Sequence, residues 1–237
     1  MKIRVADFNV EVKNKFALIE RQCKKYLADF DKADFVIETT DEDLAVEKKL
    51  PFSQESFTEP QLESLNVHRK LCFMLPEKNA IMLHSAAFSL NGKTLALVAT
   101  SGTGKTTHMM HYKDLFGDSV TIINGDKPII RLVDSELFVY GTPWCGKEGM
   151  NTNTKARLTD LCFINRSEEN YTRPITKSEV ASRIFSQIYL PKTKLAADNT
   201  LKMLDIILNS CNLWEINCTK EEKAAKVSYE SIFKERI

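Results

Sequence analysis

Hydrophobic and polar positions change period several times along this chain, and each change marks an element. Ile3-Val5 and Phe8-Val10-Val12 alternate with polar residues, which predicts a strand or hairpin. Phe16, Ile19, Cys23, Tyr26 and Leu27 recur at helical spacing and predict a helix over residues 16–29. Residues 35–39 read as a strand, Asp41-Glu42-Asp43 as an acidic turn or helix start, and residues 66–75 as a helix stopped by Pro76. Residues 1–76 thus form an expected α+β layer packed on whatever follows.

From Asn79 the pattern changes. Residues 80–90 form an apolar strand rich in small side chains, Asn91-Gly92 is a strong hairpin signal, and residues 93–99 return. A glycine-bearing loop follows, then a helix over residues 108–116 ended by Gly117 and a buried strand over residues 119–123. Two apolar runs, residues 129–133 and 137–140, predict a second hairpin across Asp134-Ser135-Glu136. Further on, residues 158–164 read as a buried strand and residues 166–176 as an exposed loop. Helices are expected over residues 177–190 and 198–209, a strand over 213–218, and a last helix capped by Thr219 with Glu222 completing a capping box. A simple doubly wound nucleotide-binding fold begins with a βαβ unit, so a hairpin running into the loop points toward a less common class of phosphate-loop protein. The expected class is therefore α/β, with a nucleotide-binding core over residues 77–237.

The loop carries the chemistry. Ala99-Thr100-Ser101-Gly102-Thr103-Gly104-Lys105-Thr106-Thr107 is a phosphate-binding pattern in which Ala99 replaces the usual first glycine. Gly102 and Gly104 let successive N–H groups turn toward an anion, and the helix that follows adds its positive end. Ser101 to Thr107 are the candidate nucleotide contacts, with Lys105 reaching the outer phosphates and Thr106 suited to Mg²⁺. Asp126, at the end of an apolar strand beyond the loop, could hold Mg²⁺ or take a proton from an attacking hydroxyl. The run from Gly141 to Asn151 has the glycines, aromatic and lysine of a shaped binding loop. Thr142, Trp144, Lys147 and Asn151 are its candidate acceptor contacts, with Lys147 also placed to touch the transferring phosphate. Cys145 lacks a partner that would make it a nucleophile.

Composition narrows the picture. Lys and Arg number 33 against 32 Asp and Glu, a net charge of +1, so no overall field attracts nucleic acid or an acidic membrane. The six cysteines are scattered, with no zinc spacing, and no stretch reads as a signal peptide or membrane span. These features predict a soluble protein of a reducing cytoplasm.

His84, the loop Ser101-Gly102-Thr103-Gly104-Lys105-Thr106-Thr107 and Asn124-Gly125-Asp126-Lys127 together resemble the HPr kinase/PEP carboxykinase superfamily, in particular its small HPr-kinase-like serine kinases. The loop has the carboxykinase form, and the strand histidine followed by a hairpin into the loop has the HPr kinase arrangement. The resemblance implies a mixed central sheet with the loop at its edge, ATP with Mg²⁺, and transfer of the γ-phosphate to a serine-type hydroxyl of a peptide, protein or small molecule. It implies Asp126 as base or metal-linked carboxylate and His84 near the γ-phosphate, that acid or the metal. HPr kinases are hexamers, so an oligomer is compatible with it. Gly125 stands where the family has the first of two acids, which argues against a two-metal site and a reverse phosphorylase reaction. Two other readings fit the same residues: a nucleotide-binding module that recognises a peptide without transfer, and a plain ATPase switch.

Overall fold

A computed structural model describes residues 1–50 and 56–235. Its architecture is mixed α/β, with three sheets. The first sheet is built from β1 (Lys2–Val5), β2 (Phe8–Lys13) and β3 (Phe35–Glu38). Its β1–β2 pair is antiparallel and its β2–β3 pair parallel. Around it lie α1 (Ala17–Gln22), α2 (Asp41–Lys48) and α3 (Glu59–Met74).

The remaining strands are β4 (Ala80–Met82), β5 (Ser85–Leu90), β6 (Lys93–Val98), β7 (Thr121–Asn124), β8 (Ile129–Val133), β9 (Glu136–Tyr140), β10 (Lys155–Arg157), β11 (Asp160–Arg166), β12 (Tyr171–Pro174) and β13 (Asn212–Cys218). Strands β10-β9-β8-β4 form an antiparallel sheet, and β12-β13-β11-β6-β5-β7 a mixed one. In the mixed sheet β11 runs parallel to both β6 and β13, while β5 is antiparallel to β6 and β7. The helices of this part are α4 (Lys105–Phe116), α5 (Lys177–Phe185), α6 (Lys194–Ser210) and α7 (Lys223–Phe233).

The continuous apolar runs follow from burial of both sheet faces. Leu95 and Leu97 of β6 join Cys162 and Ile164 of β11 in one core with Tyr112 and Tyr229. Their neighbours Ala96, Val98, Leu161 and Phe163 face the opposite core, with Ile184 and Leu204. The N-terminal layer has its own cluster, Ile3, Val10, Ile19 and Leu71 among others, which runs on through Ala80, Ile129, Tyr140 and Trp144. The expected N-terminal layer and the core beyond it therefore share packing rather than meeting at a polar seam. Among the described residues no helix is long and apolar enough to cross a membrane.

Several elements depart from the sequence expectation. The helix expected over residues 16–29 is only six residues of α-helix and a 3₁₀ turn, Lys24–Tyr26. Tyr26 is drawn into the core there, and the Ala28 N–H then bonds to Lys2, pulling the chain out along β1. The helix expected from Asn66 begins instead at Glu59, where Thr58 and Gln61 form a capping box and Pro60 occupies the first turn. The exposed stretch after Arg166 contains β12, a polar edge strand on β13. The last helix starts at Lys223 with no Thr219–Glu222 box; the Thr219 hydroxyl accepts from the Glu221 N–H. The strand expected over residues 80–90 is two strands, and they belong to different sheets. His84 lies at the break.

Gly141 is required by close approach. A Cβ there would sit 1.9 Å from the Thr152 carbonyl oxygen and 2.8 Å from that of Ile123, both backbone. Gly141→Ala is therefore expected to lower stability by about 3 kcal/mol, read as a fall in the urea midpoint at unchanged slope.

Two histidines are buried and held neutral. Burial brings His68 down to about 3 and His108 down to about 4, from an ordinary 6.5. His108 Nε2 lies 3.0 Å from the Ser228 hydroxyl, which bonds on to the Ala225 carbonyl. The unfolded chain takes up these protons near its ordinary value and the folded chain does not. Their contribution is thus complete above about pH 6.5 and is lost as pH falls toward the folded values. Thermal melts from pH 7 downward should show a loss of about 2 kcal/mol per histidine by pH 5. The slope should flatten in His68→Gln and in His108→Gln.

Candidate active site

Two chain crossings between the mixed and antiparallel sheets build the site. The first passes from β4 to β5 through Leu83 and His84; the second passes from β7 to β8 through Gly125, Asp126 and Lys127. The crossings are tied together, because the Ser85 N–H donates to the Asp126 carbonyl at 3.1 Å and the Leu83 N–H to that of Pro128 at 3.3 Å.

Asn124 fixes the second crossing. Its buried Oδ1 accepts from the Asp126 and Lys127 N–H groups at 2.9 and 2.7 Å, an Asx turn that aims the Asp126 side chain. Its Nδ2 donates to the Thr142 carbonyl and hydroxyl oxygens, both at 3.1 Å. Thr142 in turn donates to the Lys127 carbonyl at 2.7 Å and is fully buried. Thr142 is therefore no acceptor contact but a buttress beneath the Asp126 turn, outside the cavity wall.

Asp126 Oδ1 lies 3.0 Å from His84 Nε2, and Lys127 pairs with Oδ2. Burial opposes ionisation of Asp126, but the His84 hydrogen bond and the Lys127 charge outweigh it and hold the carboxyl well below its ordinary range. His84 Nδ1 is 2.9 Å from Oε1 of Gln187, and the His84 N–H donates to the Gln187 carbonyl at 2.8 Å. Gln187 is itself buried just past α5. The imidazole is thus held at both ring nitrogens, between the Asp126 carboxylate and the Gln187 side chain.

The loop lies across the same cavity. Gly102 and Gly104 take φ of 77° and 120°, with nothing within 4 Å of a Cβ built on either, so backbone conformation rather than crowding demands glycine there. Helix α4 starts at Lys105, whose Nζ donates to the Ala99 carbonyl at 2.8 Å. Burial lowers the Lys105 pKa, with Asp126 working the other way. Arg166, at the end of β11, donates to the Thr103 carbonyl at 3.3 Å and also to that of Gly102. Its guanidinium thereby takes up carbonyls on the outer side of the loop.

These groups line one cavity of about 1110 Å³. Ser101, Gly102, Gly104, Lys105, Thr106 and Thr107 stand on it, as do His84 and Asp126. Thr103 instead faces a neighbouring cavity of about 430 Å³, its hydroxyl 2.9 Å from that of Thr100. Trp144, Lys147 and Asn151 are also on the larger cavity. Trp144 is mostly packed, 7% exposed, with its indole N–H donating to the Ser64 hydroxyl at 3.3 Å. Lys147 is exposed, and Asn151 donates to the Thr142 carbonyl at 2.8 Å. Cys145 is half-buried and its thiol is pushed up by burial, which does not favour a thiolate.

Gly125 is explained by this loop. A Cβ there would meet the Cys145 carbonyl at 3.2 Å and the Met150 Cβ at 3.4 Å, so an acid at that position would need the loop to withdraw. Among the described residues no group of three or more His, Cys, Asp or Glu side chains is gathered to hold an ion. Thr106 and Asp126 offer the two hard oxygen donors that a Mg²⁺ carried in on phosphates requires, since that ion keeps water and phosphate in most of its shell.

Sequence reasoning missed Gln187, Arg166 and the residues that wall the cavity from the N-terminal layer: Arg21, Gln22, Lys24, Lys25, Gln61, Ser64 and His68 among them. Arg166 could have been found from register. Phe163 pairs with Val98, so Arg166 falls just beyond the strand that feeds the loop.

The arrangement defines a class: a cleft with a glycine loop and helix start on one wall and a histidine-held carboxylate on another. No protein-family profile matches the chain. No curated protein matches it either. Among solved structures, the HPr(Ser) kinase/phosphatase from Coxiella burnetii is similar at a TM-score of 0.39 and 8% identity, over 65% of this chain and 97% of that one. A likeness so slight carries no weight for the activity.

Proposed function

We propose that this protein is an ATP-dependent phosphotransferase acting on a serine-type hydroxyl. The observation that carries the reading is the shared cavity, on which Lys105 and the glycine loop stand together with ionised Asp126 and its partner His84. Phosphoryl transfer asks little covalent work of a protein and much positioning and charge neutralisation. The loop N–H groups, the start of α4 and Lys105 would hold the nucleotide phosphates. Thr106 and Asp126 would hold Mg²⁺, which when bound supplies charge neutralisation at the phosphates.

Asp126 would orient the acceptor hydroxyl and take up its proton late, as the bond to phosphorus forms. A carboxylate held so firmly ionised is a weak base, and a loose transition state asks more for orientation than for basicity. His84 would keep the carboxylate aimed, and Gln187 would keep His84 aimed. Lys147 stands on the same cavity and would neutralise charge on the transferring phosphate or beside the acceptor. The test is ADP release with and without candidate hydroxyl acceptors. Release that depends on acceptor supports transfer; acceptor-independent hydrolysis would mean a switch, and nucleotide binding without turnover a recognition module.

A further inference from the structure

We infer that the acceptor is an acidic peptide segment, drawn into the cleft by Arg21, Lys24, Lys25 and Lys147; the inference rests on the phosphotransfer reading for its use but not for the binding it claims. The chain as a whole is nearly neutral, with a net charge of +1. The cavity is not: six cationic side chains line it, Lys105 and Lys127 besides these four, against Asp126 and Glu148 alone. Magnesium-bound nucleotide at the loop would satisfy Lys105 and offset only part of this surplus.

Of what remains, Arg21, Lys24 and Lys25 come from one stretch, α1 and its 3₁₀ turn, on the same cavity. Among the described residues Arg21, Lys24 and Lys147 make no ion pair or side-chain hydrogen bond, and Lys25 touches only the Asn151 oxygens at 3.3 Å. Four other basic side chains of the same layer are paired with acids. Lys13 pairs with Glu38, Lys15 with Asp41, Arg69 with Glu47 and Lys70 with Asp43. The cleft thus gathers three cations without an acid partner within residues 21–25.

The chemistry of the wall favours an extended polyanion over a small one. A compact anion is held by converging, partly buried forks and backbone amides. Here the cations are exposed and spread along a rim, the arrangement that steers and registers an acidic chain. Lys25 is anchored through Asn151, and the Asn153 side chain donates to the Lys25 carbonyl at 2.9 Å, so the rim is fixed relative to the Gly141–Asn151 loop. A serine peptide held at this rim would enter the cavity that the phosphate loop also lines.

The test is fluorescence anisotropy with a fluorescein-labelled serine peptide flanked by glutamates, beside versions flanked by glutamines and by lysines, without nucleotide. The acidic peptide should bind about tenfold or more tighter than the glutamine version, weaken steadily with added salt, and lose most of its advantage in the R21Q/K24Q/K25Q protein. Equal binding of the glutamine peptide, or a triple variant within about twofold of wild type, would overturn the inference. So would free serine or glycerate displacing the probe and serving as acceptor in place of any peptide. Because these side chains are exposed, the variant should fold, and an unchanged melting temperature checks that. Acidic peptide that binds but is never phosphorylated leaves this docking intact and removes the phosphotransfer reading. Transfer to the glutamine peptide as readily as to the acidic one does the reverse.

Discussion

Lys105→Ala should reduce nucleotide turnover by about three orders of magnitude, with the fold intact. The side chain is nearly buried, and burial already lowers its pKa, so its charge acts in a poorly solvated place. Charge acting there is worth more than charge in water, and no neighbour can replace it: Lys127 is committed to Asp126, and Arg166 faces the loop carbonyls from the other side. The measurement is ADP release under saturating acceptor, with circular dichroism to check folding. Turnover like that of the wild type would remove the phosphate-loop assignment and with it the proposed function.

Asp126→Asn should leave ATP affinity within a few-fold and cut transfer by about two orders of magnitude or more. The substitution keeps the size of the side chain, and the Asn124 turn that aims it is made by backbone N–H groups, which survive. What is lost is the charge that holds His84 and Lys127 and the oxygen that would accept the hydroxyl proton. Parallel measurement of ATP binding and single-turnover transfer separates two roles. Transfer lost with binding kept places Asp126 at the acceptor. Binding lost with transfer places it chiefly on the metal. Full activity in both would exclude it from the chemistry.

Much of the site was legible where a local rule forces a residue. Asn91 and Gly92 both take positive φ, as their hairpin required, and Gly102 and Gly104 do so in the loop. The runs over residues 95–98 in β6 and 161–164 in β11 were readable because burial on both faces leaves no polar positions in them. The break at Leu83–His84 was not readable. Both strands beside it are apolar, so passing from one sheet to another leaves no mark on the pattern. Gln187 was hidden for a different reason: it meets His84 across 103 positions of sequence, a contact made by the turn after α5 and by no local signal. Thr142 looked like a ligand contact because loops rich in glycine usually present their hydroxyls, yet here the hydroxyl is spent on Asn124 and Lys127. The basic rim at Arg21, Lys24 and Lys25 carried no local signal, because only folding brings it onto the cavity that the loop lines.

The placement of His84 and Asp126 at two of the sheet-to-sheet crossings has a mechanical consequence. The pair works as a gauge of the angle between the sheets: strands on either side can be repacked, and the carboxylate–imidazole contact senses only the net rotation delivered at the crossings. Core substitutions far from the cleft should therefore divide into two groups. Those that shrink a side chain without turning one sheet against the other should cost stability alone. Those that turn the sheets should slow transfer while the nucleotide still binds, because the loop hangs from one sheet and the geometry of Asp126 depends on both.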